Sequence, residues 1–324
     1  MKHTAVLLAA LLLLIIAPTR VDAQWEVVLK DQTRRDLNAV FFVDREAGWV
    51  VGDGGIIHAT LTSGEDWFAQ NAKVNVSLSD VYFRDHNEGW IVASGARILH
   101  SVDGGDSWRE VYRVPARTGS NQGEAPELYS VTFSNRKKGW VVGTDGRILH
   151  TEDGGQVWTP QTSGTKEELV HLRFVSDKRG WIVGGGGTIL FTDDGGSTWG
   201  RQRSDTTEHL YHIEVRGKER AWAVGDNGTI LRTNDAGVTW ERVAIGVKQT
   251  LLNIAFADDK LGWIVGWNGI ILRTGDGGKS WVEQVSGTRV NLYGLAVRKD
   301  GFFSRTTQAW VVGAEGMVLR YRAR

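Results

Sequence analysis

The chain has 324 residues, of which 41% are hydrophobic and 23% charged, a composition that folds rather than stays disordered. Its 38 basic and 38 acidic residues balance, which gives no electrostatic footprint for nucleic acid and no polybasic membrane anchor. The absence of cysteine excludes disulfides, thiolate metal sites, a cysteine nucleophile and a lipid-modified N-terminal cysteine, whereas 41 glycines and 15 tryptophans are well above ordinary usage.

The N-terminus reads as an export signal. Met1-Lys2-His3 is a short basic start, an apolar run follows from Ala5 to Ala17, and Val21-Asp22-Ala23 fits the small-residue cleavage pattern. The expectation is a signal peptide over residues 1–23 and a mature chain from Gln24 forming one domain over 24–324. The apolar run is too short and wrongly flanked to span a bilayer, and no later segment is long and apolar enough. The mature protein is therefore expected without a transmembrane span, in the periplasm, the thylakoid lumen or outside the cell.

Beyond it, the tryptophans mark a repeat. Trp49, Trp90, Trp140, Trp181, Trp222, Trp263 and Trp310 each follow Gly or Ala; four of their six spacings are 41 residues, and the other two are 50 and 47. A second series, Trp67, Trp108, Trp158, Trp199, Trp240 and Trp281, follows at a constant offset of 18. Only Trp25 and Trp267 lie outside both series. A period of about 40–45 residues with turn signals marks a β-propeller blade.

Each unit reads as four short strands. The first is an alternating run such as Leu78 to Phe83 or Leu251 to Phe256. The second is Gly-Trp-Ile/Val-Val-Gly, as at Gly139 to Gly143. A tight turn follows, as at Asp226-Asn227-Gly228 or Trp267-Asn268-Gly269, where Gly takes positive φ without steric cost. The third strand centres on Ile-Leu, as at Ile189-Leu190, and the fourth begins at the second Trp, as in Trp108-Arg109-Glu110-Val111. No stretch has a sustained helical period. The seventh unit lacks a fourth strand before Arg324, and Gln24-Trp25-Glu26-Val27-Val28 matches one. The fold class is therefore all-β: a seven-bladed propeller of four-stranded antiparallel blades, closed by the N-terminal strand completing the last blade.

Five third-to-fourth turns read Ser/Thr-x-Asp-Gly/Ala-Gly-x-Ser/Thr/Val-Trp, the Asp-box, with carboxylates at Asp103, Asp153, Asp194, Asp235 and Asp276; the first unit is degenerate, with Thr62 in place of Asp. By composition these could be catalytic groups or Ca²⁺ ligands. A site used once does not need five copies, so they are read as structural acceptors for their own turn's amides.

Asp-boxes combined with the Leu…Gly-Trp-x-Val-Gly…Gly-x-Ile-Leu-x-Thr unit resemble the photosystem II assembly and stability factors of cyanobacteria and chloroplasts (the Ycf48/HCF136-like family) over the whole mature chain. The resemblance implies a seven-bladed, lumenal, non-enzymatic propeller that binds a reaction-centre subunit, the nascent D1, during assembly and repair. Sialidases, sortilin-type receptors and xyloglucan hydrolases also carry Asp-boxes. A secreted glycoside hydrolase or sialidase-like enzyme is thus the alternative, and a structural or receptor-like module a third class.

In a propeller the fourth-to-first and second-to-third connections share one face and the Asp-boxes lie on the other. Candidates on the first face are Arg34, Arg35, Asp36, Lys73, the insertion Arg113 to Glu127, Glu168, Glu208, His209, Trp267, Asn268 and Arg289. Tyr129, Tyr211 and Tyr293 share a column of the innermost strand, but top-face arginines are too sparse for a sialidase triad. A glycosidase carboxylate pair would come from Asp36, Asp80, Glu127, Glu168 and Glu208. His171 and His212 share a column and are read as structural, with no metal and no cofactor. The residue preceding each Asp-box runs Ala59, His100, His150, Phe191, Arg232, Arg273 and Arg320; Arg232, Arg273 and Arg320, with Arg34 and Arg35, are the partner-binding candidates, the first three expected to form one exposed basic strip. The partner is expected to be a protein and the chain a monomer. A second insertion carries Phe302-Phe303.

Overall fold

The computed structural model describes residues 25–114, 126–299 and 307–322. The leader, most of the Arg113–Glu127 insertion and the Phe302-Phe303 segment lie outside the described residues. Seven four-stranded antiparallel sheets are present. Six run in simple order over 37–71, 78–113, 128–161, 169–202, 210–242 and 251–284, here blades 1 to 6. Blade 7 takes three strands, Leu292–Lys299, Thr307–Gly313 and Met317–Arg322, from the end of the chain and its outermost strand, Trp25–Lys30, from the beginning. Trp25 pairs with Tyr321, Glu26 with Arg320 and Val27 with Leu319, as the Trp spacing requires. The only helical pieces among the described residues are three-residue 3₁₀ turns, and Asn227 and Gly228 (φ 53° and 63°) turn as the Asn-Gly signal predicts. No helix in the described residues is long and apolar enough to cross a membrane.

One difference concerns the fourth strands. That of blade 2 begins at Arg109 rather than Trp108, because Trp108 Nε1 donates to Gly105 O at 3.0 Å and stays in the turn as its wedge.

The second-strand tryptophans are 0–2% exposed and form the seams between blades. Trp49 stacks on Phe83 of the next blade (centroids 3.5 Å apart, planes 6° apart), Trp140 on Phe174 at 3.9 Å and Trp310 on Phe42 at 4.0 Å across the closure. The same Phe rings meet their own blade's second Trp edge-on: Phe83 with Trp108, Phe174 with Trp199 and Phe42 with Trp67. Each such pair adds about 0.5–1.5 kcal/mol beyond the area buried.

This interlock accounts for the Gly before the Trp. Phe133 pairs across the strands with Gly139, and a Cβ on Gly139 would lie 2.5 Å from the Phe133 ring; Gly48, Gly89, Gly180 and Gly262 face Phe42, Phe83, Phe174 and Phe256 in the same way. The two blades with Ala at that position, Ala221 and Ala309, carry Val215 and Val297 opposite it. The larger Phe stands opposite Gly and the smaller Val opposite Ala, so neither pair is overpacked.

The Asp-box carboxylates are consumed by their own turns. Asp235 Oδ1 accepts from Thr233 Oγ1 (2.7 Å) and the Thr239 amide (2.9 Å), and Oδ2 accepts from Thr239 Oγ1 (2.6 Å). Asp103, Asp153, Asp194 and Asp276 are held similarly. In blade 1 the Thr62 hydroxyl substitutes, accepting from the Asp66 amide at 2.9 Å. The hydroxyl bond of Thr239 holds Asp235 down at about 2, the amide of Thr198 does the same for Asp194, and the hydroxyl of Ser280 for Asp276.

Two outcomes follow. Gly139→Ala and Phe133→Val will each destabilise, by about 1–3 kcal/mol for the overpacked Ala, and in urea denaturation the double variant will cost at least ~1 kcal/mol less than their sum; strict additivity would contradict the packing argument. The Asp-box carboxylates have folded pKa values below the unfolded 3.8, so their stabilisation is present above that value and lost as pH falls toward about 2. Melting temperature should drop across that window, and the combined Asp194→Asn, Asp235→Asn and Asp276→Asn variant should show a shallower drop.

Candidate functional site

The basic strip expected from Arg232, Arg273 and Arg320 does not form. These residues pair directly across from Trp222, Trp263 and Trp310, so each side chain packs along a buried indole. Arg320 is 3% exposed, with Nη1 2.6 Å from Glu65 Oε1 and Nη2 3.3 Å from Glu26 Oε1. It ties blade 7, the N-terminal strand and the blade 1 turn together, which is a closure role. Arg273 lies over the Trp263 ring at 5.9 Å, and Arg232 is half-buried. On the opposite face Arg34 pairs with Glu315 at 3.0 Å and Arg35 donates to Gly54 O at 3.2 Å. The structure does not bring these two groups of arginines together.

The central channel holds a cavity of about 760 Å³ lined by the innermost strands. All seven of these strands carry a bulge after their first Leu, which re-aims the side chains at the channel mouth. Tyr293 OH donates to Asp36 Oδ2 (2.9 Å) and Tyr211 OH to Asp226 Oδ2 (3.4 Å); burial, then Asp226, pushes Tyr211 up to about 12. Deeper in, Asp80 accepts from Ser130 Oγ and the Val131 amide of the next blade, and burial raises it to about 6. His171 stacks on His212 with centroids 3.6 Å apart, and its Nδ1 accepts from the Ile213 amide at 3.4 Å. Burial lowers both imidazoles, so they stay neutral, and Nδ1 of His171 is occupied as a strut between blades 4 and 5. Arg216 and Arg298 donate to the main-chain oxygens of Phe256 and Phe42 in the next blade. The channel side chains are thus largely occupied in joining blades. On the rim, Glu168 meets His209 (3.4 Å) and Glu208 accepts from Asn227 (2.8 Å).

A second concavity, about 740 Å³, opens at the outer junction of blades 4 and 5. Here the interlocking Phe is replaced by Val215, and Trp181 is faced instead by Phe191 of its own blade, with centroids 4.8 Å apart. Phe191 and Val238, the latter 82% exposed, supply apolar wall. Arg179, Arg201 and Arg203 supply charge. Arg179 is braced by Lys218 O (3.0 Å), and Arg203 meets Asp205 at 2.5 Å in an exposed pair that solvent screens. Arg201 has no carboxylate partner among the described residues. The floor is fixed: Gln202 Nε2 donates to Ala236 O (2.8 Å), and its Oε1 accepts from Trp240 Nε1 (3.1 Å). Glu219 and Asp235 also line the groove, the latter with both oxygens engaged by its own turn.

Sequence reasoning missed this groove. Its signal lay in the fourth strands, which align as Ala69-Gln70-Asn71, Pro160-Gln161-Thr162, Arg201-Gln202-Arg203 and Glu283-Gln284-Val285. Of these only blade 4 sets two arginines on the outward side of the Gln. Two guanidinium groups along the outermost strand, beside a groove with an apolar wall, suit an extended peptide bearing carboxylates, through bidentate hydrogen bonds.

The family model for photosynthesis system II assembly factor YCF48 matches residues 17–123, 122–176, 160–249, 235–292 and 249–322. Among solved structures, "YCF48 bound to D1 peptide" is 22% identical with a TM-score of 0.74, covering 93% of this chain and 96% of that one. YCF48 from Cyanidioschyzon merolae is 23% identical with a TM-score of 0.72, covering 92% and 98%. The GH74 xyloglucanase from Xanthomonas campestris is 14% identical with a TM-score of 0.68, covering 93% of this chain and 54% of that one. At these identities the likenesses show the fold alone. No curated protein matches the sequence.

Proposed function

The chain belongs to the photosynthesis system II assembly factor YCF48 family, and on that premise we propose that it is a non-catalytic scaffold that binds an extended, carboxylate-bearing segment of a photosystem II reaction-centre subunit in the groove between blades 4 and 5. One observation carries the placement: Arg179, Phe191 and Val238 line a concavity whose floor is locked by Gln202, with Arg201 and Arg203, on either side of that Gln, at its edge. A rigid site loses little ordering entropy on binding. The solved YCF48 bound to a D1 peptide supports the choice of partner. The non-catalytic reading draws support from the carboxylates at the channel, since Asp36, Asp80 and Asp226 accept hydrogen bonds from Tyr293, Ser130 and Tyr211. Turnover of a sialoside or glucan by the purified chain would defeat it. Export to a lumenal or periplasmic compartment rests on the basic-apolar-small pattern of Met1 to Ala23.

The direct test is binding of a labelled D1 segment to the chain and to its Arg201→Glu/Arg203→Glu variant. Both side chains are exposed, so melting temperature should hold, while affinity falls at least about tenfold and the salt dependence weakens. Unchanged affinity would move the site elsewhere.

A further inference from the structure

Trp267 is unaccounted for by the architecture. It stands outside both tryptophan series and is 46% exposed, whereas the second-strand indoles are buried. It opens the turn Trp267–Gly269 of blade 6, on the face opposite the Asp-boxes. The aligned residue is Asp53, Gly185, Asp226 or Ala314 in other blades, so the turn needs no aromatic there. An exposed indole contributes little to folding.

The turn is held rigidly between two inter-blade loops. The Trp267 amide donates to Thr250 O at 3.0 Å, and the Asn268 amide donates to Asn291 Oδ1 at 3.1 Å. Those loops carry Lys248 and Arg289, both exposed, each two residues from the hydrogen-bonded Thr250 or Asn291. Among the described residues neither cation has an ion-pair partner. Of the acids named on this face, Glu315 is paired with Arg34, while Asp226, Asp36 and Glu208 accept from neutral donors that cancel no charge, from Thr250 and Tyr211, from Tyr293 and from Asn227. The patch therefore combines one exposed indole on a main chain fixed by two hydrogen bonds with two cations that have no ion-pair partner among the described residues.

We propose that Trp267, Lys248 and Arg289 form a second protein-docking surface, separate from the arginine groove, which takes an acidic segment of a partner. Trp and Arg dominate binding energy at interfaces, and a fixed main chain confines the ordering cost to the ring's own rotamers. Complementary charge selects an acidic partner and speeds its encounter. An anionic bilayer fits less well. Two basic side chains near such a surface contribute roughly fivefold each, too little for stable attachment. The proposal stands independently of the groove.

The test uses the full chain on an array of short synthetic peptides of graded net charge, beside vesicles of phosphatidylglycerol. The wild-type chain should retain acidic peptides over neutral ones. Trp267→Ala and Lys248→Glu/Arg289→Glu should each weaken that retention about tenfold or more, with melting temperature unchanged. Arg201→Glu/Arg203→Glu should leave the Trp267-dependent set intact, which separates failure here from failure of the groove. The proposal is overturned if acidic peptides are not retained. It is equally overturned if retention is indifferent to Trp267, if only the groove variant abolishes it, or if the Trp267 and Lys248/Arg289 variants lose vesicle attachment while keeping the peptides.

Discussion

A phenyl ring held between two indoles is the contact on which the ring of sheets depends. In blades 1, 2, 3, 4 and 6 the Phe that ends or nearly ends the innermost strand takes the face of the preceding blade's Trp and the edge of its own blade's second Trp. Removing one large buried ring typically costs about 3–5 kcal/mol, and here the loss is shared by two blades. No sheet is complete without its neighbour. Circular closure follows, because blade 7 must offer Trp310 to Phe42 of blade 1.

The two exceptions are informative. Where Val297 replaces Phe in blade 7, Trp25 of the N-terminal strand meets Trp263 edge-on at 6.4 Å, and Tyr321 lies 5.0 Å from the same indole. The strand that closes the ring also restores the missing aromatic contact. Where Val215 replaces Phe in blade 5, Phe191 turns onto Trp181, and this is the junction that opens into the arginine groove. The groove thus sits where the repeat departs from its own rule, on a scaffold whose other seams are locked. Repetition supplies rigidity, and the exception supplies the concavity proposed to bind.

Much of this was legible in the sequence. Trp spacing alone gave blade count, strand order and the pairing of Trp25 with the last blade, because a period-41 signal survives two insertions. The Gly-Phe and Ala-Val complementarity was written there too, but it becomes visible only once register sets Phe133 opposite Gly139. The Arg320 position was misjudged as exposed. Its two carboxylates, Glu26 and Glu65, come from the far end of the chain and from the next blade, and nothing local announces them. The groove escaped for a related reason: Arg179 belongs to blade 4 and Val238 to blade 5, and only lateral packing of the two blades sets them around Phe191.

The central claim is that the reaction-centre segment lies across one blade junction rather than over the channel. Site-specific photo-crosslinking decides it most directly, with the photoreactive residue replacing Val238 on the groove wall in one variant and Phe68, exposed on the outermost strand of blade 1, in another. Covalent capture of a D1 segment from position 238 and not from position 68 is the outcome predicted here. Capture from position 68 with none from position 238 would contradict the account.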